Sequence, residues 1–353
     1  MKIRFSALDG IRGLAALAVM LLHFSSLSGF VWMPRAWMAV DLFFIMSGFV
    51  LMHSYSQKIG GGQLDFLRFY KVRLVRLMPL YIVGLFLGYL SMSYSCSLPV
   101  GTCEQNVIPA VVYGVFVLPY FTEAMWPIGV NAAVYPFPLN SPAWSLFFEL
   151  FVNLIFFFWI AKVKSRHLWL VICLAFFVLV GVYILNGSVN GGWGGNNFYV
   201  GFPRVIYHFF IGVLIYTQYQ KYGFNSKLIA FISVALLMTA FAFNSSLVSM
   251  FSLFILAPFV VLANAKITFN GYAERVCTWL GDISYPLYIL HWPIFQLLYV
   301  FGHLEHLSPT VRVTVMALIA ITLAWLLSIA DKNIRAKLSV NSTVVLKAQP
   351  EKS

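Results

Sequence analysis

Arg12 and His23 stand eleven residues apart in the segment LDGIRGLAALAVMLLH. On a helix that spacing is about three turns, roughly 16 Å, and it leaves both side chains near one face. Such a face carries a fixed positive charge at one end and, deep in an apolar run, an imidazole able to act as a general base. Alone, the pair reads more simply as a snorkelling arginine and a core histidine bonded to another helix, so its surroundings decide. Asp41, in VDLFF, opens the next apolar run and is placed to reach His23, where a carboxylate would orient the ring and stabilise imidazolium. Glu149 lies about two turns into the run that follows Pro142. It is too deep to be only a cap and needs a partner, for which Arg204 and His23 both qualify. The stretch RFYKVRLVR interleaves Arg68, Lys71, Arg73 and Arg76 with apolar and aromatic side chains. It suits an anchor on anionic lipid or a clamp for a polyphosphate, where bidentate arginine geometry is an advantage. Trp144, Arg204, Tyr288 and His291 complete the set, as candidates for contact with a substrate in a polar cavity. No glycine-rich phosphate loop, nucleophile elbow or metal-ligand spacing accompanies them, and His303 and His306 lack further ligands, so no metal is expected.

The elements that must hold these residues are set by composition. Apolar residues make up 61% of the 353 positions and charged residues 10%, with a mean hydropathy of +0.85. A soluble chain carries about a quarter charged residues, so lipid is the solvent for most of this one. One polytopic membrane domain over 1–335 is expected, with a short cytoplasmic tail over 336–353 and no appended catalytic domain. The net charge of +12 is spread in short clusters between apolar runs, as the positive-inside rule requires, which argues against a nucleic-acid partner. The first run, preceded by Asp9 and Arg12 and holding His23, reads as a span and not as a cleaved leader. Cys96 and Cys103 share a loop and are placed to form a disulfide outside the membrane, whereas Cys173 and Cys277 are not.

Ten apolar runs are long enough for spans: 13–30, 37–56, 77–95, 143–161, 168–186, 203–219, 227–244, 247–264, 283–302 and 312–330. An eleventh, 108–121, is short of the ~20 residues a crossing helix needs. If it does not cross, 20 of the 23 Lys and Arg residues fall on the side of both termini, leaving Arg35, Arg204 and Arg312 outside. If it crosses, the split becomes 10 and 13. The expected fold is therefore an all-α integral membrane protein of about ten transmembrane helices plus a short re-entrant or interfacial segment, with both termini cytoplasmic. The Pro- and aromatic-rich segment 97–142 and the Gly/Asn-rich 186–202 then face outward.

Five segments in order resemble the membrane acyltransferase 3 family: LDGIRGLAALAVMLLH with its Arg-x10-His spacing, VDLFFIMSGF, RLVRLMP, SPAWSLFFE and ISYPLYILHWP. The resemblance runs over nearly the whole chain. One departure is that the acidic doublet usual after the Trp-Ser segment is here Phe148-Glu149. The resemblance implies transfer of an acyl group, usually acetyl, from cytoplasmic acyl-CoA to a hydroxyl of a cell-envelope glycan or lipid-linked glycan, in a bacterial inner membrane. It implies a catalytic His23 with Arg12 required beside it, and Arg73 and Arg76 as contacts of the acetyl-CoA donor. Whether His23 acts as base or carries the acyl group, and whether Asp41 or Glu149 orients it, stays open at this stage. A glycan transporter or flippase would share the spans and buried charges but should show two related halves, and none is visible.

Overall fold

The computed structural model describes residues 4–26, 30–97, 107–121, 135–160, 165–302, 304 and 306–347. Every one of the ten apolar runs lies in a helix, because with no water to bond the backbone only intrahelical hydrogen bonds satisfy it. In chain order the helices are α1 (Ser6–Ser26), α2 (Ala39–Gly60), α3 (Phe66–Ser97), α4 (Ile108–Val115), α5 (Ala143–Ile160), α6 (Ser165–Asn186) and α7 (Gly201–Tyr222). They continue with α8 (Lys227–Ala242), α9 (Ser246–Phe251), α10 (Ala257–Asn264), α11 (Gly271–Phe301) and α12 (Pro309–Lys347). Among the described residues there is no β-strand. Seven helical segments are long and apolar enough to cross a membrane, and α5 and α8 are shorter apolar helices. α11 is 31 residues long but carries two internal prolines and more polar side chains.

α9 and α10 form one span joined by a π turn at Ser252–Leu256. Pro258 lies two residues past its end; its ring would clash with the carbonyl four residues back, and the widened turn relieves that clash. α4 has only 8 residues, about 12 Å of helix, and does not traverse the bundle. It docks on α3, where the Tyr81 hydroxyl donates to the Gly114 carbonyl at 2.6 Å. α12 runs on as helix through Lys347, so the expected tail begins as a continuation of the last span. The proposed Cys96–Cys103 pairing and half of the 97–142 segment lie outside the residues described with side chains. Cys173 and Cys277 are unpaired.

Two long pairings organise the bundle, and both are parallel. Along α1 and α11, Arg12 meets Ser284, His23 meets His291 and Phe24 stacks on Phe295. Glycine permits the approach: a Cβ on Gly13 would lie 2.5 Å from the Leu280 Cβ. Along α2 and α7, Asp41 meets Arg204 and His53 meets Tyr216. Between these contacts Gly48 and Gly212 interlock; a Cβ on either would fall 2.0 or 1.9 Å from the carbonyl oxygens of Phe209 or Ile45. Small residues that let backbones touch are how helices associate where lipid offers no hydrophobic drive. Large apolar side chains such as Phe177 and Leu185 remain exposed on the outside of the bundle.

Candidate active site

The α1–α11 seam carries Arg12 and His23. Near the start of α1 the Arg12 guanidinium donates to Ser284 Oγ and to the Gly281 carbonyl, both at 2.8 Å. It also pairs with Asp9 at 3.1 Å. Near the end of α1, His23 Nδ1 is 2.9 Å from His291 Nε2. The two rings stack at 5.0 Å, with Trp292 edge-on at 5.2 Å. His291 is fully buried, and its Nδ1 lies 2.7 Å from the Tyr288 carbonyl. A carbonyl only accepts, so His291 Nδ1 carries the proton and its Nε2 is the acceptor. The shared hydrogen bond therefore runs from His23 Nδ1–H to His291 Nε2, leaving the lone pair of His23 on Nε2. The side chain bonded to His23 is thus a histidine, where a carboxylate was expected.

α11 can present these groups because its prolines are compensated. Pro293 has no N–H for the Ile289 carbonyl four residues back. The Asn140 side chain donates to that carbonyl instead, at 3.1 Å.

A cavity of about 770 Å³ opens among α1, α2, α3, α5, α11 and α12. It is lined by Arg12, Lys71, Arg76, Lys332 and Arg335 at its rim and by the buried Arg73, against two carboxylates, Glu149 and Asp282. Its apolar walls include Val40, Phe44, Met46, Val50, Leu146 and Ile289. Phe43, Ser145 and Tyr288 also line it, and the Ser145 and Tyr288 hydroxyls share a buried 2.7 Å hydrogen bond. Tyr288 precedes His291 by one helical turn, about 4.5 Å along the axis. Neither His23 nor His291 lines the cavity.

Glu149 does find an arginine, but it is Arg73 and not Arg204. Arg73 Nη2 donates to Glu149 Oε1 at 2.5 Å, and the Ser47 hydroxyl donates to the same oxygen at 3.1 Å. Arg73 is 2% exposed, and its Nε and Nη1 have no hydrogen-bond partner among the described residues. Lys71 and Arg76 line the cavity, whereas Arg68 is exposed and paired with Asp65 at 3.1 Å, away from the rim.

The expected approach of Asp41 to His23 is not what the fold gives. Asp41 is fully buried and accepts from Arg204 at 3.0 and 2.6 Å, with His208 Nδ1 3.1 Å away. The Arg204 guanidinium lies between the Trp37 and Trp144 rings, 5.3 and 5.4 Å from their centroids, and also donates to the Gly191 carbonyl. Each nitrogen of the Arg204 guanidinium thus has an acceptor, and Trp144 packs on it. The cluster ties α2, α5 and α7 to the Gly/Asn-rich segment. The physical reason is the α2–α7 glycine contact, which turns Asp41 toward α7.

His208, an ionisable group within an apolar run, is a candidate from sequence alone, whereas Ser145, Asn140, Lys332 and Arg335 escaped the sequence reading. The last two could have been flagged as an i, i+3 basic pair at the end of the final apolar run. The others carry no signal without the packing.

A family model described as an acyltransferase domain (Acyl_transf_3) matches residues 5–329. Protein 2 in the picA locus of Rhizobium radiobacter is 37% identical over 186 residues, covering 50% of this chain and 93% of that protein. O-acetyltransferase OatA of Staphylococcus aureus is 21% identical over 347 residues, covering 89% of this chain and 55% of OatA. The chain thus spans about half the length of that relative. No solved structure matches. Because the family match takes in the whole α1–α11 seam and the greater part of the cavity wall, the chain belongs to the membrane acyltransferase 3 family and is an acyltransferase.

Proposed function

We propose that the protein is a ten-crossing O-acyltransferase of a bacterial inner membrane, with both termini cytoplasmic. In this reading it moves an acyl group, acetyl in the first instance, from cytoplasmic acyl-CoA to a hydroxyl of a cell-surface polysaccharide or lipid-linked glycan. The likeness to an O-acetyltransferase supports the acetyl group and the oxygen acceptor. The parallel course of α1 with α11 and of α2 with α7 supports the crossing number. Parallel partners must differ by an even number of crossings, which holds only if α4 does not cross. The charge distribution supports a cytoplasmic basic rim.

The observation that carries the reading is the cavity. A basic rim leads into an apolar interior that comes within one turn of the His23–His291 pair. Acyl-CoA has that polarity: phosphates that must stay at the rim, and a slender arm that carries the thioester inward. His23 Nε2 takes the proton of the acceptor hydroxyl as its oxygen attacks the thioester carbonyl carbon. The tetrahedral intermediate collapses, the carbon–sulfur bond breaks, and the thiolate leaves with the proton from His23. His291 Nε2 accepts the Nδ1–H bond throughout, so it holds the ring and favours the imidazolium. Arg12, Lys71, Arg73 and Arg76 hold the donor, and Glu149 fixes Arg73. Asp41, Arg204 and Trp144 act as a buried clasp. Acceptor recognition falls to the outward segments around 135–142 and 186–202.

Purified protein in lipid nanodiscs should release free thiol from acetyl-CoA only when a glycan acceptor is present. His23→Ala should lower kcat by roughly 10²–10⁴-fold; full turnover in that variant would refute the assignment. One observation favours a second mechanism: His23 is partly exposed yet lines no part of the cavity. An acyl-His23 intermediate would let donor and acceptor visit in turn. Label retained on the protein from labelled acetyl-CoA without acceptor would establish that route, and a strict ternary-complex rate law would exclude it.

A further inference from the structure

Lys332 and Arg335 lie on α12 beyond residue 329, where the family match ends. Both nevertheless line the cavity that α3 lines with Lys71, Arg73 and Arg76. Within the α3 set Arg73 alone is buried, whereas Lys71 and Arg76 are exposed. The Arg73 side chain is 2% exposed, against 34% for Arg335 and 52% for Lys332. The α12 pair is therefore an outer pair of cations relative to the buried Arg73.

Each outer cation is held in place by a carboxylate. Lys332 Nζ sits 2.5 Å from Asp282 Oδ2, and Arg335 pairs with Asp331. Arg335 Nε is buried without a hydrogen-bond partner among the described residues. A guanidinium N–H in that state gains from an anionic oxygen, since a bond to a charged acceptor is about twice as strong as a neutral one.

Acyl-CoA presents two anionic groups in a fixed order from the thioester. The pyrophosphate comes first, beyond the pantetheine arm, and the ribose 3′-phosphate lies at the far end of the molecule. With the thioester directed inward, the buried Arg73 meets the pyrophosphate and the outer α12 pair meets the terminal phosphate. We infer that Lys332 and Arg335 hold the 3′-phosphate of the donor nucleotide, as the outer jaw of a clamp whose inner jaw is on α3. This rests on the reading of the cavity as the donor site.

The test is binding of CoA and of 3′-dephospho-CoA to the full-length protein in detergent, measured by titration calorimetry. The wild-type protein should bind CoA about tenfold more tightly or better, the worth of one charged hydrogen bond. Lys332→Gln should bring CoA affinity down toward that of 3′-dephospho-CoA while leaving the latter unchanged. The double variant Asp331→Asn/Arg335→Gln, which removes both partners so that no carboxylate is left buried alone, should do the same. Equal wild-type affinity for the two ligands overturns the inference and leaves the donor site standing. Equal weakening of both ligands in the variants does so too, because a general field at the rim would act that way. If the wild-type protein binds neither ligand, the donor site and the inference fall together.

Discussion

His23 Nδ1 and His291 Nε2 are 2.9 Å apart, and the Tyr288 carbonyl behind His291 fixes which of them donates. The chain thereby holds the His23 imidazole in one tautomer with a second imidazole. Replacing His291 by Leu removes the acceptor, frees the ring of His23 to turn, and should lower kcat by roughly 10²-fold with a small change in KM for acetyl-CoA. Replacing it by Gln returns an acceptor oxygen near the place of Nε2 and should recover much of the loss. Steady-state kinetics on the two variants decides this: equal activity in Leu and Gln variants would mean that His291 serves packing alone.

Arg73 and Glu149 form an ion pair that links α3 to α5 at the side of the cavity. Glu149→Gln strips a buried guanidinium of its counter-charge. Glu149 is 24% exposed, so the cost should fall somewhat below that of a wholly buried pair, about 2–3 kcal/mol of stability. Arg73→Lys keeps the charge but loses the planar fork. It should raise KM for acetyl-CoA about tenfold with kcat less affected. Thermal unfolding in detergent measures the first effect and donor titration the second.

Asp41 and Arg204 are 0% and 1% exposed and bond each other twice. Asp41→Asn leaves Arg204 charged in an apolar enclosure and should cost about 3–5 kcal/mol. The loss should appear as a lower unfolding temperature and reduced yield, with KM for donor unchanged in the protein that folds. A variant that unfolds like wild type but has lost turnover would instead place Asp41 in the chemistry.

Much of this arrangement was legible in the residues because helix geometry is local. The ten apolar runs became helices, 108–121 became a short helix that does not traverse the bundle, and the Arg12–His23 spacing put both residues on the face that meets α11. The partners were not legible, because they depend on which helices lie side by side. His291 is 268 residues from His23, and nothing in either local sequence names the other. Asp41 misled for the same reason. The short connection between α1 and α2 made His23 its natural neighbour, but α2 packs along α7 at Gly48 and Gly212, and that contact delivers Asp41 to Arg204. The cavity rim was half visible: the α3 cations stood out as a cluster, while Lys332 and Arg335 resembled ordinary flanking charge until α12 brought them to the same opening.

The α2–α7 contact is itself testable. A Cβ at Gly48 would sit 2.0 Å from the Phe209 carbonyl oxygen, and one at Gly212 would sit 1.9 Å from that of Ile45. Both obstacles are backbone, so neither can swing aside as a flexible side chain would, and the helices must separate. Separation weakens every contact along the pair, including the Asp41–Arg204 bonds. Gly48→Val and Gly212→Val should each cost more than the 1–3 kcal/mol typical of an overpacked core, enough to deplete folded protein in the membrane. Gly60→Ala is the matched control, since a Cβ there meets nothing within 4 Å, and it should leave yield and unfolding temperature close to wild type. Fluorescence-detected size-exclusion chromatography of the three variants gives the answer, and monodisperse, fully active Gly48→Val protein would show that α2 and α7 do not touch as described.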